Sequence, residues 1–260
     1  MNARKTVFDL VFATAGGLLV LFIVLPLVST FLSTTPADFM ASFSDQEVLH
    51  SIGLTFSAAA IATCVALVSG VPLAFLLARR KFAGKRLLEA ILNLPVVIPH
   101  TAAGVALLLV FGRGGTLGRW LAPLGITFTD NLTGIVVAML FVSLPYLVNL
   151  SRESFMMVDE ELERVAMTDG ASQWQTFWHV TLPLAWRGVL GGAVMMWARG
   201  ISEFGAVVIL AYHPKIAPVL IYERFEGFGL KAAQPVALLL LLVALITFIL
   251  LRLALLPEKG

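Results

Sequence analysis

The stretch MTDGASQWQTFWHVTLP, residues 167–183, is polar at its start, aromatic in its middle and closed by Leu-Pro, with long apolar runs on both sides. Just upstream, Val158, Leu162, Val165 and Ala166 fall at helical spacing within MMVDEELERVAMTDG, while acids take the other face. One amphipathic helix is expected there, and Gly170 is placed to end it in a left-handed cap. Ser172 with Gln175 makes the S-x-x-Q signature of a capping box. It opens a second helix on which Trp174, Phe177, Trp178 and Thr181 share a face. Pro183 is expected to stop that helix and begin the next apolar segment. Two readings fit such a hairpin. It lies against a membrane interface, where Trp is favoured, or it presents aromatic anchors to a soluble partner's groove.

The flanking runs decide what surrounds it. Of 260 residues, 59% are hydrophobic and only 13% charged, against about 25% charged in an ordinary soluble domain. The mean hydropathy is +0.93. The chain is therefore read as an all-α, polytopic integral membrane protein, one transmembrane domain over residues 1–260. Six segments reach the roughly 20 apolar residues that cross hydrocarbon: 7–33, 52–78, 87–111, 132–150, 184–210 and 233–256. The first follows Arg4 and Lys5 but is too long for a signal-peptide core and lacks a small-residue cleavage site, so it is read as an uncleaved span. With six spans, 12 basic residues fall on the side of the termini and of loop 151–183, and 5 on the other. The positive-inside rule puts that loop and both termini in the cytoplasm. Cys64, the single cysteine, lies in an apolar run and is expected in the packed core.

Pro26, Pro72, Pro95, Pro99 and Pro145 lie within spans. Kinked or broken helices suit a chain that lines or gates a pathway, although proline is also commoner in membrane helices at large. Arg199 and Glu203 stand four residues apart in the fifth span, hence on one helix face. A charge at that depth costs several kcal/mol unless paired or hydrated. The two either neutralise each other or face a path for an anion, Arg199 attracting it and Glu203 preventing its trapping. His100, beside Pro99, bonds a neighbouring helix or lines the same path. Gly188 and Gly192 suggest close helix packing. GRGGTLG at 112–118 lacks the order of a phosphate loop and is read as a flexible loop. No nucleotide-binding motif, nucleophile constellation or metal-ligand cluster is seen in the sequence. No catalytic residue, metal, cofactor or nucleic acid is assigned to the chain.

Gly170, Val180, Leu182 and Pro183 reproduce a G-x9-I/V-x-L-P spacing, and with it loop 151–183 resembles the cytoplasmic loop of ABC importer permeases. That family's Glu-Ala-Ala begins six residues before the glycine. Here Arg164, Val165 and Ala166 occupy those places, and Glu163 stands one position early. LPVVIPHTAAGVALLLVFG (94–112), WARGISEFGAVVILAY (197–212) and PKIAPVLIYERFEGFG (214–229) resemble molybdate/tungstate permeases, particularly the archaeal type. The R-x-x-x-E-F-G core is shared with sulfate-type permeases.

The resemblance implies a type I ABC importer permease with six transmembrane helices and coupling helices in the loop between helices 4 and 5. It implies ATPase coupling through Glu163, Ala166, Gly170, Ala171, Trp174, Phe177, Val180, Leu182 and Pro183, and a pathway past Pro99, His100, Arg199 and Glu203. It also implies a homodimer in the lipid of the cytoplasmic membrane, two ATPase subunits that carry ATP-Mg, and an extracytoplasmic oxyanion-binding protein. The cargo would be molybdate or tungstate, with sulfate or thiosulfate as the alternative. A proton-coupled carrier relaying through Glu203 and His100 is a rival of another class, as is a membrane enzyme or scaffold without flux.

Overall fold

An apolar chain in lipid must satisfy its backbone hydrogen bonds internally, which helices do within a single segment. The computed structural model describes residues 2–255, with side chains from residue 8 to 254. Those of Arg4 and Lys5, and the C-terminal Lys259, lie outside the described residues. In chain order the helices are α1 Asn2–Ser33, α2 Pro36–Ser44, α3 Gln46–Arg79, α4 Lys85–Val97, α5 His100–Phe111, α6 Thr116–Leu121, α7 Leu132–Met157, α8 Glu160–Thr168, α9 Gln173–Thr176, α10 Leu182–Ile201, α11 Gly205–Leu210, α12 Ala217–Phe228 and α13 Leu230–Leu255. Among the described residues, six stretches are long and apolar enough to cross a membrane by length and composition: Phe8–Ser33, Gln46–Arg79, His100–Leu124, Leu132–Met157, Gln173–Ile201 and Leu230–Ala254.

Several expected elements differ. The segment 87–111 is two helices, because Pro99 lacks an N–H and drives Ile98 to an extended ψ of 146°, as a pre-proline residue prefers. The segment 184–210 ends at Ile201 and resumes at Gly205, where the Glu203 carboxylate accepts the Ala206 N–H at 2.9 Å. The single helix expected over MMVDEELERVAMTDG breaks after Met157, and Asp159 caps a new one by accepting the Glu161 N–H at 2.9 Å. Pro183 does not stop the aromatic helix. The chain continues from α9 through a π turn, Phe177–Thr181, directly into α10. A proline ring collides with the carbonyl four residues back, and the wider π turn absorbs that clash. Residues 112–118 form a turn and then enter α6 at Thr116, so only part of that stretch is loop.

The centre of the bundle is α3, α7 and α10. Lipid tails are as apolar as leucine, so membrane helices gain by close approach through small residues. Ala58, Ala59, Ala62, Ala66 and Ala74 of α3 are buried. The Gly188 and Gly192 contact is of this kind: an added Cβ would overlap Ser154 at the first, and at the second would stand 3.1 Å from the Leu147 carbonyl oxygen on α7. Cys64, expected in the core, is exposed on α3, because the adjacent Ala62 and Ala66 take the buried stripe. α1 is exposed along Phe8–Ser33. Its Thr30 carbonyl accepts Gln234 Nε2 of α13 at 3.3 Å.

At the end of the bundle away from loop 151–183, ion pairs hold α3 to α12. Arg224 lies 2.6 Å from Asp45 and 3.4 Å from Glu47, and Lys215 lies 3.0 Å from Glu47 and 2.6 Å from Glu223. The Tyr212 hydroxyl donates to Glu223 at 2.8 Å. The Arg224 hydrogen bond holds the Asp45 carboxyl below its usual value, and the Lys215 bond does the same for Glu223. Bonds to Glu223 raise both Lys215 and Tyr212. A depressed carboxylate stabilises above its ordinary pKa and loses that contribution as pH falls through its folded value. A raised lysine or tyrosine stabilises below its ordinary pKa and loses it as pH rises through its folded value. The network should therefore stay intact from the ordinary value of 4.5 for Glu223 to that of 10.0 for Tyr212. Protection of the α2 and α12 amides, measured against the intrinsic exchange rate at each pH, is expected to fall on both sides of that window. Protection that stays constant down to about pH 3, well below ordinary carboxylate values, would show that these pairs contribute nothing.

Candidate functional site

The loop is built by local chemistry. Gly170 has φ +97°, a conformation open to glycine at little cost. There the Ala171 N–H reaches the Ala166 carbonyl at 3.0 Å and the Gly170 N–H reaches Met167 at 3.1 Å. That is the paired pattern of a Schellman cap closing α8. The capping box follows at once. Ser172 N–H donates to Gln175 Oε1 at 2.8 Å, and Gln175 N–H to Ser172 Oγ at 3.2 Å. The aromatic face then divides. Trp174 and Trp178 are 70% and 48% exposed, free to meet a partner. Phe177 turns inward onto Phe75 of α3 and Phe155 of α7, with ring centroids 4.9 and 6.1 Å away. Val180 and Leu182 are half-buried, and Pro183 is exposed in the first turn of α10.

Glu163 does not face the exposed outer surface of the loop. Its Oε1 accepts Arg79 Nη2 at 2.8 Å, Arg79 Nε at 3.0 Å and the Thr181 hydroxyl at 2.9 Å. Arg79 Nη2 also donates to the Val158 carbonyl at 2.8 Å, where α7 ends. The Arg79 and Glu163 side chains are 8% and 13% exposed, so the pair is largely desolvated. Removing one partner of such a pair typically costs roughly 3–5 kcal/mol, because the other charge is left buried and alone. Sequence alone gives Arg79 no role beyond a positive charge at the end of an apolar span, because its acceptor lies 84 residues away.

The second constellation lies where the half-helices meet. His100 opens α5, Arg199 is in the last turn of α10, and Glu203 follows in the unwound link. Glu203 Oε2 lies 2.9 Å from His100 Nδ1 and 3.1 Å from Arg199 Nη2. These are ion-pair distances without the alignment of hydrogen bonds. Arg199 Nη2 lies 2.7 Å from His100 Nδ1, and Nη1 donates to Ser202 Oγ at 3.1 Å. The side chain of Glu203 is 1% exposed, that of Arg199 19% and that of His100 33%. The carboxylate is thus an internal counter-ion, and the two bases reach the open side. Arg199 and Glu203 meet across a helix end rather than along one helix face. Ser202 was not anticipated, and nothing in its spacing singles it out. Pro99 supplies the break that brings His100 here. Glycines allow the approach: a Cβ on Gly104 would stand 2.8 Å from Ile209 Cβ and 3.0 Å from the Ala206 backbone. Gly104→Ala is expected to destabilise the protein by about 1–3 kcal/mol through overpacking, read as a lower midpoint of thermal unfolding in detergent. An unchanged midpoint would mean that α11 can move off α5 freely.

With this geometry in view, comparison with known proteins gives the class. The model of the family described as binding-protein-dependent transport system inner membrane component matches residues 70–259. The chain belongs to this family, and it is a multi-pass membrane protein. It is 42% identical over 252 residues to the molybdate/tungstate transport system permease protein WtpB of Pyrococcus furiosus, covering 96% of each chain. It is 39% identical to the protein of the same name from Methanocaldococcus jannaschii, over 94% of this chain and 96% of that one. The sulfate transport system permease protein CysT of Synechocystis is 34% identical over 79% of this chain and 73% of its own length. Among solved structures, a bacterial ABC transporter that imports the acidic polysaccharide alginate superposes with a TM-score of 0.75 at 15% identity, covering 96% of this chain and 94% of that one. The inward-facing methionine transporter MetNI superposes at 0.62 and 16% identity, over 80% and 92%. These two likenesses establish the fold.

Proposed function

We propose that this chain, as one permease domain over residues 1–260, carries molybdate or tungstate across the cytoplasmic membrane in an ATP-driven importer. The observation that carries the cargo is the 42% identity to a molybdate/tungstate permease over nearly the full length of both chains. The sulfate-type relative is less similar over a smaller share. The chain works as a homodimer, and the exposed length of α1 is covered by lipid and by the second copy. Two separate ATPase subunits hold ATP-Mg, and an extracytoplasmic binding protein delivers the oxyanion. Both termini and loop 151–183 face the cytoplasm, in keeping with the distribution of basic residues.

Docking falls to the surface around Ala166, Gly170, Ala171, Trp174 and Pro183, with Phe177, Val180, Leu182 and Glu163 holding that surface to the bundle. ATP binding closes the ATPase pair, the loops carry the closure into the helices, and the pathway opens outward. Hydrolysis returns it inward. Pro99, His100, Arg199 and Glu203 mark the pathway. Arg199 offers a positive donor group and His100 a ring nitrogen to a tetrahedral dianion, and Glu203 keeps the attraction weak enough for release.

Liposomes containing this chain, its ATPase and a molybdate-binding protein should take up molybdate only with ATP, and tungstate should compete better than sulfate. Uptake driven by a pH gradient without the ATPase would instead favour the proton-coupled carrier. In the same liposomes Arg199→Ala should cut uptake about tenfold or more with the ATPase still bound. Normal uptake by that variant would remove Arg199 from the pathway. Gly170→Val places a β-branched residue at φ +97°, where it is strained. It should lower recovery of the ATPase with the permease, and full recovery would sink the docking reading.

A further inference from the structure

Three elements meet beside loop 151–183 without sharing the same covalent link to it. α9 runs through the π turn into α10 without a break, so the main chain itself carries movement of the loop into α10. α7 joins α8 through the non-helical pair Val158 and Asp159, a joint that can bend. α3 has no chain connection to the loop at all. Its end packs on α7 and α10 through Val71, Ala74 and Leu77, and what ties it to α8 is the Arg79 guanidinium, bonded to Glu163 and to the Val158 carbonyl at the end of α7. The bond from Thr181 to the same carboxylate oxygen extends the joint to the π turn. One helical turn along α3, Phe75 packs edge-on to Phe155 and Phe177. A polar clasp and an aromatic one thus join the same elements.

α3 reaches from this joint to both other constellations. It is 34 residues long, or about 51 Å at 1.5 Å per residue. Midway, Gly200 packs on Ala59, where an added Cβ would stand 3.2 Å from the alanine Cβ, and Trp197 meets Phe56 edge-on at 5.4 Å. Both partners flank Arg199. Further along, Thr55 Oγ1 accepts the Ala217 N–H at 2.8 Å, and Asp45 at the helix start pairs with Arg224 of α12.

We propose that Arg79 is the positioning residue that makes α3 follow the loop, so that ATPase closure moves the Arg199 region and the α12 end together. The clasp transmits the stroke, and the exposed tryptophans receive it. Glu163 serves from inside, as the acceptor that fixes the loop to α3, and does not itself touch the ATPase. This rests on the proposed docking of loop 151–183 to an ATPase.

The test uses the assembled transporter in liposomes with its ATPase and a molybdate-binding protein. Uptake and hydrolysis are measured on the same preparation, and their ratio is the readout, since loss of folded complex lowers both together. Arg79→Ala should cut molybdate delivered per ATP hydrolysed by about tenfold while the ATPase still co-purifies. Glu163→Gln should act in the same direction, and the double variant should be no worse than the more damaging single one, because both remove one joint. Arg79→Lys keeps the charge but not the fork that serves Glu163 and Val158 together, so its ratio should fall between. If Arg79→Ala does not assemble, Arg79→Lys and Glu163→Gln carry the test with the side-chain bulk retained. A ratio within about twofold of wild type in these variants, a change too small for a coupling element, would overturn the proposal. So would loss of ATPase association in both Arg79→Lys and Glu163→Gln, which would make the clasp part of docking. Gly170→Val separates the two levels. Full ATPase recovery with that variant defeats the docking reading itself, whereas a normal ratio in the Arg79 and Glu163 variants with docking intact defeats only the transmission by α3.

Discussion

A polar group left without a partner in hydrocarbon costs several kcal/mol, and the breaks at α11, at α5 and at the end of α7 each answer to that cost. A continuous helix needs no help, so α3, α7 and α13 run long. Where a helix ends inside the bundle, some side chain must take over the freed backbone groups. At the start of α11 that side chain is Glu203, which accepts the Ala206 N–H. At α5 the break coincides with Pro99, which has no N–H to lose. At the end of α7 the freed Val158 carbonyl is met by Arg79. The charged residues at depth are thus the means by which the helices are interrupted, and the interruptions are where charge can face an open space.

The same constraint explains how the helices approach one another. Burial against lipid yields no hydrophobic gain, so contact depends on close packing. Alanines on α3 and glycines on α10 and α5 let backbones come near. Close backbones in turn bring short-range pairs within reach, as His100 reaches Glu203 across the α5–α11 contact. Packing by small residues also leaves helices with smooth sides, and polar fastenings fix which of them move together. α3 packs along α7 and α10 and carries polar fastenings at both ends.

Much of this was legible from the residues. Apolar runs give six crossings because length and hydropathy are properties of one segment at a time. The Gly170 turn and the Ser172–Gln175 box were legible for the same reason, since capping groups lie within three residues of what they cap. The π turn was not, because Pro183 stops a helix in most settings and only the tertiary hold on Phe177 and Thr181 makes a widened turn the better choice. The breaks at Ile98 and Ser202 were hidden for a related reason. Apolar composition runs through both, and the partners that allow each break come from elsewhere in the chain. Of the intramembrane residues, the closeness of Arg199 and Glu203 in sequence was readable but not the helix end across which they meet, and the arrival of His100 beside them depends on α5 packing along α11. The clasp could not be read at all, since Arg79 and Glu163 are 84 residues apart.

The displacement of the loop's acid by one position acquires a physical sense from that clasp. One residue along an α-helix is a rotation of about 100°. At position 163 the carboxylate turns toward α3, and Arg164 points to solvent in its place. An acid at 164 would sit on the exposed face and leave Arg79 without its main acceptor inside the bundle. Arg79 at the end of α3 and Glu163 one place early in α8 are therefore two halves of one feature. Each is a poor choice alone, a buried charge without a partner. Together they join two segments that the chain does not connect, and they leave Trp174 and Trp178 as the large apolar side chains that α9 and the π turn present outward. The loop then has an inner face bonded to the bundle and an outer face left open, which is the division a part needs if it is to pass a movement on.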